Sequence, residues 1–201
     1  MLFSTVQVYI HVHNQLMTDS ATIHWHGINM KGINNTISGA TPWSDGVPYV
    51  TQCPILPGAT FTHVFAANEA GTFWYHSHQE MQKMDGLFGA LVIYDPSRTH
   101  YPSFTVINTD WMQVGATYYA SNYNYFNIRT PNYGPIQERY AGVDAPGPYA
   151  DSHLVNGRGR FNNTAPLEVH RVEQGRVYLF RFINAGFDDE YGVCTMHSES
   201  K

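Results

Sequence analysis

Two pairs of histidines draw attention because each pair has the residue type and spacing to hold a metal ion. They are His24-Trp25-His26 and His76-Ser77-His78, and the chain has eleven histidines in all. On a β-strand, residues two apart point to the same side, so each pair presents two imidazoles from one surface. Imidazole is a good ligand for copper, zinc, iron and nickel. If the two strands are neighbours, we expect four imidazoles to converge on one spot.

The remaining histidines are predicted to have structural roles. His11-Val12-His13 has the same spacing, but no glycine or loop signature surrounds it, and we interpret this pair as structural. The isolated histidines, for which a core or surface role is expected, are His63, His100, His153, His170 and His197. Methionine fills gaps in a core more often than it binds copper(I), so Met81 and Met84 are predicted to pack near the second pair.

Short strands separated by turns are expected to position the histidine pairs. Apolar residues alternate over Val6–His13 and predict an amphipathic strand. The other predicted strands are Ala21–Ile28, Thr60–Ala66, Thr72–His78, Leu87–Tyr94, Phe104–Trp111, Leu167–Val172 and Arg176–Asn184. Predicted turns lie at Pro54–Gly58, Asp85-Gly86 and Asn156-Gly157, and long loops at residues 29–48 and 115–147.

Composition and length favour an all-β protein with two domains. Only 13% of the 201 residues are charged and 14% are aromatic, a balance that suits strands better than helices. The best boundary lies near residues 95–102, which predicts β-sandwich-like domains over residues 1–98 and 99–201. The net charge of −5 is spread without runs, so no nucleic-acid-binding surface is indicated. No apolar stretch is long enough for a membrane helix, and residues 1–7 are too polar for a signal peptide.

The residues around both histidine pairs match longer motifs. Residues 22–27 read TIHWHG, residues 43–48 read WSDGVP, residues 51–55 read TQCPI, residues 71–78 read GTFWYHSH and residues 85–90 read DGLFGA. In this order they resemble the first domain of the multicopper oxidases, and of laccases in particular. Residues 154–159 (LVNGRG) and 182–186 (FINAG) look like part of the second laccase domain.

The resemblance implies a cupredoxin fold with Greek-key β-sandwich domains, the second one incomplete here, and copper as the cofactor. It implies that His24 binds the type 2 copper, that His26 and His76 share one type 3 copper and that His78 binds the other. Asp45 matches an acidic residue that the family uses to deliver protons during dioxygen reduction. The alternative for Asp45 is a plain turn residue in Asp45-Gly46.

The chain departs from the family pattern in several respects. We expect the family's first strand, which precedes the one at Val6, to be absent, which would expose a sheet edge. The second domain is expected to stop early after Tyr191, and no His-Cys-His stretch of the third domain is present. Neither a disulfide between Cys53 and Cys194 nor a compartment follows from two cysteines alone. The sequons at Asn34 and Asn162 match only a three-residue pattern, and chance polar loops explain them equally well. A secreted glycoprotein is what the resemblance to the family implies.

Two functions remain open on the sequence. The first is the copper-binding N-terminal portion of a laccase-like oxidase, whose partners are dioxygen, a small aromatic or metal-ion reductant and the missing third cupredoxin domain. The second is a truncated copper-binding module without catalysis. A zinc or iron site of the cupin type ranks below both, because no glutamate follows His26 within the next few residues.

Overall fold

The structure is a computed structural model, and it describes residues 2–4, 6–32, 40–98, 100–113, 115–117, 150–161, 165–187 and 191–194. The two sequons, at Asn34 and Asn162, lie outside these residues, as does most of the predicted loop over residues 115–147. Among the described residues, no helix has the length and apolar character needed to cross a membrane.

Strands dominate the described residues, which confirms the all-β prediction. The strands are β1 (Leu2–Phe3), β2 (Val6–His13), β3 (Ile23–His26), β4 (Thr60–Ala67), β5 (Gly71–Ser77), β6 (Phe88–Tyr94), β7 (Ser103–Trp111), β8 (Ser152–Val155) and β9 (Leu179–Asn184). A single turn of 3-10 helix, Pro42–Ser44, lies between β3 and β4. Thr41 caps this turn, since its side chain accepts a hydrogen bond from the Trp43 amide at 3.1 Å.

The first half of the chain forms two sheets that share one core. Strands β1, β6, β5 and β3 form a four-stranded sheet in that order, and β2 pairs with β4 along its whole length. The core residues Ile23, Trp25 and Phe65 are buried between the sheets. Val8, Ile10 and Val12, which alternate along β2, pack against this core. Because one face of each strand is buried in this core, the alternate residues must point outward.

Most of the predicted strands are present within two residues at either end. The prediction for Val6–His13 is confirmed in full. Strand β3 is shorter than the predicted Ala21–Ile28, because Gly27 follows it with a φ of 88° and turns the chain away. The predicted turns at Pro57-Gly58, Asp85-Gly86 and Asn156-Gly157 are confirmed.

Two expectations about strands need correction, and one strand was missed. A strand does precede Val6, because β1 pairs in parallel with Ile93 and Tyr94 of β6. Two residues are too few to show an alternating pattern, so the sequence did not reveal it. Leu167–Val172 is not a strand: its alternating residues are largely exposed, with Val169 at 69%, and no ladder partner for it exists among the described residues. Strand β8, by contrast, was not predicted.

The second half of the chain forms a single sheet in the described residues. Strand β7 lies in its centre, with β8 antiparallel on one side and β9 parallel on the other. Phe180 and Phe182 on β9 are 39% and 49% exposed, and they line an open cavity of about 590 Å³. Arg181 joins this sheet to the first half, because its Nη1 donates to Thr72 Oγ1 at 2.9 Å.

Candidate metal centre

The register between β3 and β5 brings the two histidine pairs together. The strands are antiparallel, and His24 lies directly opposite His76. Residues directly opposite each other in a ladder share one face of the sheet, so the imidazoles of His24, His26 and His76 project from the same side. Trp25, between the two histidines of β3, points to the other side into the core. The buried core face therefore determines the direction of the histidines.

Three of the predicted ligands form a compact group. One ring nitrogen from each of His24, His26 and His76 lies within 4.8 Å of the other two. His26 Nδ1 and His76 Nε2 are 3.4 Å apart. His78 is exposed and lies at the edge of the group, with its ring centroid 6.1 Å from those of His24 and His76. The structure thus gathers three of the four histidines closely and leaves the fourth beside them.

Asp45 lies beside His24. His24 Nδ1 donates to the main-chain oxygen of Asp45 at 2.7 Å, and the Asp45 carboxylate oxygen Oδ1 is 3.4 Å from the same nitrogen. With Nδ1 as the donor, the lone pair of His24 lies on Nε2, which is left free for a metal. The sequence-predicted carboxylate is therefore next to the histidine group, although its main chain makes the shorter contact.

Gly46 allows this approach of the loop to β3. Its φ is 94°, and a Cβ added there would lie 2.3 Å from the main-chain oxygen of Ile23 and 2.7 Å from the His24 amide nitrogen. Any side chain would collide with backbone that is locked in the sheet. The glycine in the Asp-Gly pair is therefore needed for close packing as well as for the turn.

His76 is held neutral and correctly oriented. Its Nδ1 donates to the main-chain oxygen of Ser77 at 2.9 Å, so the lone pair lies on Nε2, towards His26. Burial lowers the pKa of His76 to about 4, against the opposing effect of the Ser77 hydrogen bond. His24, Lys83 and His26 lower it further by charge repulsion. A neutral imidazole at ordinary pH is the form that binds metals.

Trp74 and Lys83 were not singled out from the sequence. The indole of Trp74 packs against the rings of His26 and His76, with centroid distances of 5.0 Å and 4.5 Å, and restricts their rotation. Burial lowers the pKa of His26, and His24 and Lys83 add to the effect. Lys83 lies 6.0 Å from the Trp74 ring, and burial lowers its own pKa as well. The signal available in the sequence was that Trp74 lies two residues before His76, which places both side chains on one face of a strand.

His63 holds the loop that carries Asp45 through a hydrogen bond from the core. It is fully buried on β4, where its Nδ1 donates to the main-chain oxygen of Ser44 at 3.0 Å. Its ring packs edge-on against Trp25 at 5.6 Å. Burial lowers the pKa of His63 to about 4, although the Ser44 hydrogen bond opposes this. The prediction of a core or surface role is confirmed as a core role. His63 thereby joins the β2–β4 sheet to the loop that carries Asp45.

The turn after β5 is tied down by side chains. Ser77 Oγ donates to Gln82 Oε1 at 2.7 Å, and Gln82 Nε2 donates to the main-chain oxygen of Ser20 at 2.8 Å. The His78 amide bonds to the Thr22 oxygen at 3.3 Å. Met81 and Met84 are half-buried in this turn. These bonds keep His78 close to the start of β3.

The outer face of β2 shows where the third histidine pair lies. His11 and His13 are exposed, and their Nδ1 atoms bond to Thr62 Oγ1 at 2.8 Å and Thr60 Oγ1 at 2.9 Å. They belong to the β2–β4 sheet and not to the sheet of the metal centre. The structure does not bring this pair to the other histidines.

Comparison with known proteins identifies relatives over nearly the whole chain. A family model described as multicopper oxidase matches residues 2–98, and a second one of the same description matches residues 103–193. Laccase-1 of Fomitopsis schrenkii is 37% identical over 186 residues, which cover 91% of this chain and 30% of that protein. Laccase-2 of Pleurotus ostreatus is 34% identical over 189 residues, which cover 90% of this chain and 31% of that protein. The chain thus spans about a third of the length of these relatives.

Solved structures agree with these relatives. The laccase from Botrytis aclada aligns with a TM-score of 0.65 and 33% identity, covering 90% of this chain and 31% of its own. Fet3p, described as a multicopper oxidase that functions in iron import, aligns with a TM-score of 0.67 and 28% identity, covering 92% of this chain and 30% of its own. These neighbours confirm the prediction of cupredoxin-like domains, and the second is incomplete in the described residues.

The residues at the centre fit the cofactor that the family uses. His24, His26 and His76 supply imidazole nitrogens only, a donor set that suits copper. Hydrogen bonds to main-chain oxygens orient His24 and His76 in the way that metal-bound histidines usually require. With two family models that together match most of its length, the chain belongs to the multicopper oxidase family.

Proposed function

We propose that this chain is the copper-binding N-terminal portion of a laccase-like multicopper oxidase, with domains over residues 1–98 and 99–201. One observation carries the proposal: the β3–β5 register places the ring nitrogens of His24, His26 and His76 within 4.8 Å of one another. The laccase relatives at 34–37% identity support the same function.

The distance between His26 and His76 supports one part of the division of ligands that the family resemblance implies, a copper shared by these two residues. Two ligands on one tetrahedral metal, each with a bond of about 2.0 Å, lie about 3.3 Å apart. His26 Nδ1 and His76 Nε2 are separated by 3.4 Å and would therefore hold one type 3 copper. In this proposal His24 binds the type 2 copper through Nε2, and the exposed His78 binds the second type 3 copper.

Bound copper supplies a chemistry that side chains lack, the transfer of four electrons to dioxygen to give water. The four protons that this reaction consumes must come from groups at the site. Asp45 is half-exposed and its carboxylate is 3.4 Å from His24 Nδ1, so it can take up protons from solvent and hold them near the centre. The indole of Trp74 packs against the rings of His26 and His76 and covers one side of each.

Other parts of the function follow from the family alone. The electrons are proposed to come from phenols, diphenols, aromatic amines or metal ions. They enter through a type 1 copper in a third cupredoxin domain, for which this chain has no His-Cys-His stretch. The relatives' greater length leaves room for that domain. A secreted, glycosylated protein is proposed on the same ground.

A copper titration tests the metal centre. We expect the chain to bind copper(II) with nitrogen hyperfine structure from imidazoles in its electron paramagnetic resonance spectrum. A variant with His24, His26, His76 and His78 all changed to Ala should lose this signal. His100→Ala, a histidine away from the centre, is the matched control. Equal spectra and equal affinity in the wild type and the fourfold variant would remove the basis of the proposal.

The mass of the native protein separates an oxidase from a copper-binding module. Antibodies raised against this chain should detect a protein about three times its mass of 22.7 kDa, as the coverage of the relatives implies. The copper-loaded chain alone should not oxidise a diphenol faster than free copper, because it lacks the cysteine-bound site through which electrons enter. A native protein of the same length as this chain would favour the non-catalytic module.

The role of Asp45 is tested in the full-length oxidase. Asp45→Asn keeps the shape of the side chain but cannot relay a proton, so we expect slower reoxidation of the fully reduced enzyme by dioxygen and unchanged oxidation of the reductant. Rapid mixing with dioxygen across a range of pH measures both steps. If reoxidation is unchanged at every pH, Asp45 is a turn residue only.

A further inference from the structure

We propose that Asp85 is a positioning residue for His78, because it joins the turn that carries this histidine to the second half of the chain. The turn spans residues 78–86 and leads from β5 to β6. The inference rests on the proposed function, in which His78 is the fourth imidazole of the copper centre. It adds that the second half of the chain helps to place that ligand.

His78 is held differently from the other three histidines of the centre. His24, His26 and His76 belong to strands β3 and β5, and the ladder between these strands fixes their spacing. His78 follows the end of β5, is exposed, and its imidazole makes no hydrogen bond to any of the described residues. Its ring centroid lies 6.1 Å from those of His24 and His76. The course of the turn therefore decides how close the His78 ring comes to the group.

Contacts within the first half of the chain hold the beginning and the middle of the turn. The His78 amide bonds to the main-chain oxygen of Thr22 at 3.3 Å. Gln82, in the middle of the turn, bonds through its side chain to Ser77 at 2.7 Å. The carboxylate of Asp85, at the end of the turn, makes no hydrogen bond to the described residues of this half. The end of the turn is thus left to another part of the chain.

The second half of the chain holds the end of the turn. The amide of Ala116 donates a hydrogen bond to Asp85 Oδ1 at 2.7 Å. Ala116 is only 1% exposed, so loss of this acceptor would leave a buried N–H unpaired. The main-chain amide of Asp85 in turn bonds to the Met81 oxygen at 3.1 Å. The side-chain contact therefore fixes a residue that is itself part of the hydrogen-bonded turn.

Two neighbouring contacts bring the same stretch to β7. A Cβ added to Gly86 would lie 3.7 Å from Cζ3 of Trp111, so the indole ring lies beside this glycine. The fully buried carboxylate of Asp110 attracts the ammonium group of Lys83 and opposes the lowering of the Lys83 pKa by burial. Lys83, Asp85 and Gly86 thus all interact with the second half of the chain, and Asp85 does so through a hydrogen bond.

The metal-free chain tests the positioning of His78 directly. Asp85→Ala should shift the imidazole resonances of His78 in NMR spectra and speed amide hydrogen exchange over residues 79–86 by about tenfold, because the end of the turn is released. Asp85→Asn keeps an oxygen that can accept from Ala116 and should stay close to the wild type. Asp95→Ala, which removes a carboxylate that bonds to Ser97, is the matched control.

Thermal melts verify that each variant is folded. Asp85→Glu keeps the charge but moves the carboxylate by one methylene group, and it replaces Asp85→Ala in both measurements if that variant unfolds. The same changes at His78, with smaller size, are expected from it.

Copper affinity tests whether Asp85 acts through His78. In a double-mutant cycle, Asp85→Ala should lower the copper(II) affinity of the chain by up to about tenfold. It should have no further effect in a chain that already carries His78→Ala. The nitrogen hyperfine pattern of bound copper should change in the same way in the two single variants, and Asp85→Asn should keep the wild-type pattern.

The two measurements separate the role of Asp85 from the proposed function. Shifts of the His78 resonances in the metal-free chain, without copper binding by the wild type, would uphold the positioning of His78 and refute the copper centre. Unchanged resonances and exchange rates in Asp85→Ala would overturn the role of Asp85. A loss of copper affinity as large in the His78→Ala background as in the wild type would overturn it as well.

Discussion

Strands β2 and β3 carry the same His-x-His spacing, yet their surroundings differ in one respect. Opposite His24 on β3 lies another histidine, His76, whereas opposite His11 on β2 lies Thr62. On β3 the cross-strand neighbour, His76, contributes a third imidazole to the cluster. On β2 the cross-strand neighbour, Thr62, contributes a hydroxyl that hydrogen-bonds to the imidazole of His11. His-x-His spacing along a strand places two imidazoles on one face. Whether they join a larger cluster depends on which residues the neighbouring strand places opposite them.

The largest effect is expected where the Asp45 loop meets β3. Gly46→Ala would place a Cβ 2.3 Å from the Ile23 main-chain oxygen, at a φ of 94°. Backbone strain and steric overlap together should lower the free energy of unfolding by about 3 kcal/mol and displace the loop that holds His24. Gly58→Ala has a similar φ of 75° with nothing within 4 Å, and it is the matched control. Urea unfolding measures both, and equal losses would mean that the contact with β3 is not important.

The buried and exposed faces of the β2–β4 sheet are expected to contribute differently to the pH dependence of stability. His63 lies inside with a pKa lowered to about 4, and the unfolded chain has an ordinary value near 6.5. Below pH 6.5 the unfolded chain protonates His63, whereas the folded state keeps it neutral down to about pH 4. The contribution of His63 to the free energy of unfolding is therefore complete above pH 6.5 and is lost as the pH falls towards 4. Between pH 7.5 and pH 5 this should reduce the free energy of unfolding by about 2 kcal/mol.

The test of this pH effect is His63→Phe, which fills the same space and does not titrate. The difference in unfolding free energy between pH 7.5 and pH 5 should shrink by about 2 kcal/mol relative to the wild type. His13→Gln on the outer face of the same sheet is the control, and it should leave the pH dependence as it is. Parallel pH profiles for His63→Phe and the wild type would contradict the buried neutral state.

Reciprocal substitutions test the effect of the residue on the opposite strand. Thr62→His places an imidazole opposite His11, and His76→Thr removes the one opposite His24. We expect copper binding to appear at the β2 face, and copper affinity at the metal centre to fall by about tenfold, or about 1.4 kcal/mol. Titrations in the two single variants and their combination measure this. If Thr62→His produces no copper binding at β2, a histidine on the opposite strand is not sufficient to complete a site.

The smallest effect is expected at the Asp45 side chain. His24 Nδ1 donates to the main-chain oxygen at 2.7 Å and lies farther, at 3.4 Å, from the carboxylate. Asp45→Asn keeps the first contact, so copper affinity of the chain should change by less than about 1 kcal/mol. Copper titration at fixed ionic strength checks this value. A loss of copper affinity as large as that for His76→Thr would mean that the Asp45 carboxylate, and not its main-chain oxygen, orients His24.

Patterns within short stretches of sequence were sufficient for several features. The alternation over Val6–His13 predicted β2 to the residue, because one of its faces must be buried and the spacing of apolar residues records which. The spacing of His24 and His26 predicted that they share a face, and the surrounding motif predicted the family. The sequence shows a glycine at position 27, and the φ of 88° that this residue adopts explains why β3 ends before it.

Features that depend on distant residues came only from the tertiary structure. The 3.4 Å approach of His26 to His76 requires the register of two strands about fifty residues apart, and no local pattern encodes a register. The contact of Gly46 with Ile23 and the hydrogen bond from His63 to Ser44 also join separate segments. Leu167–Val172 illustrates the same limit: its alternation is that of a strand, but a strand needs a partner's hydrogen bonds, and the described residues place none beside it.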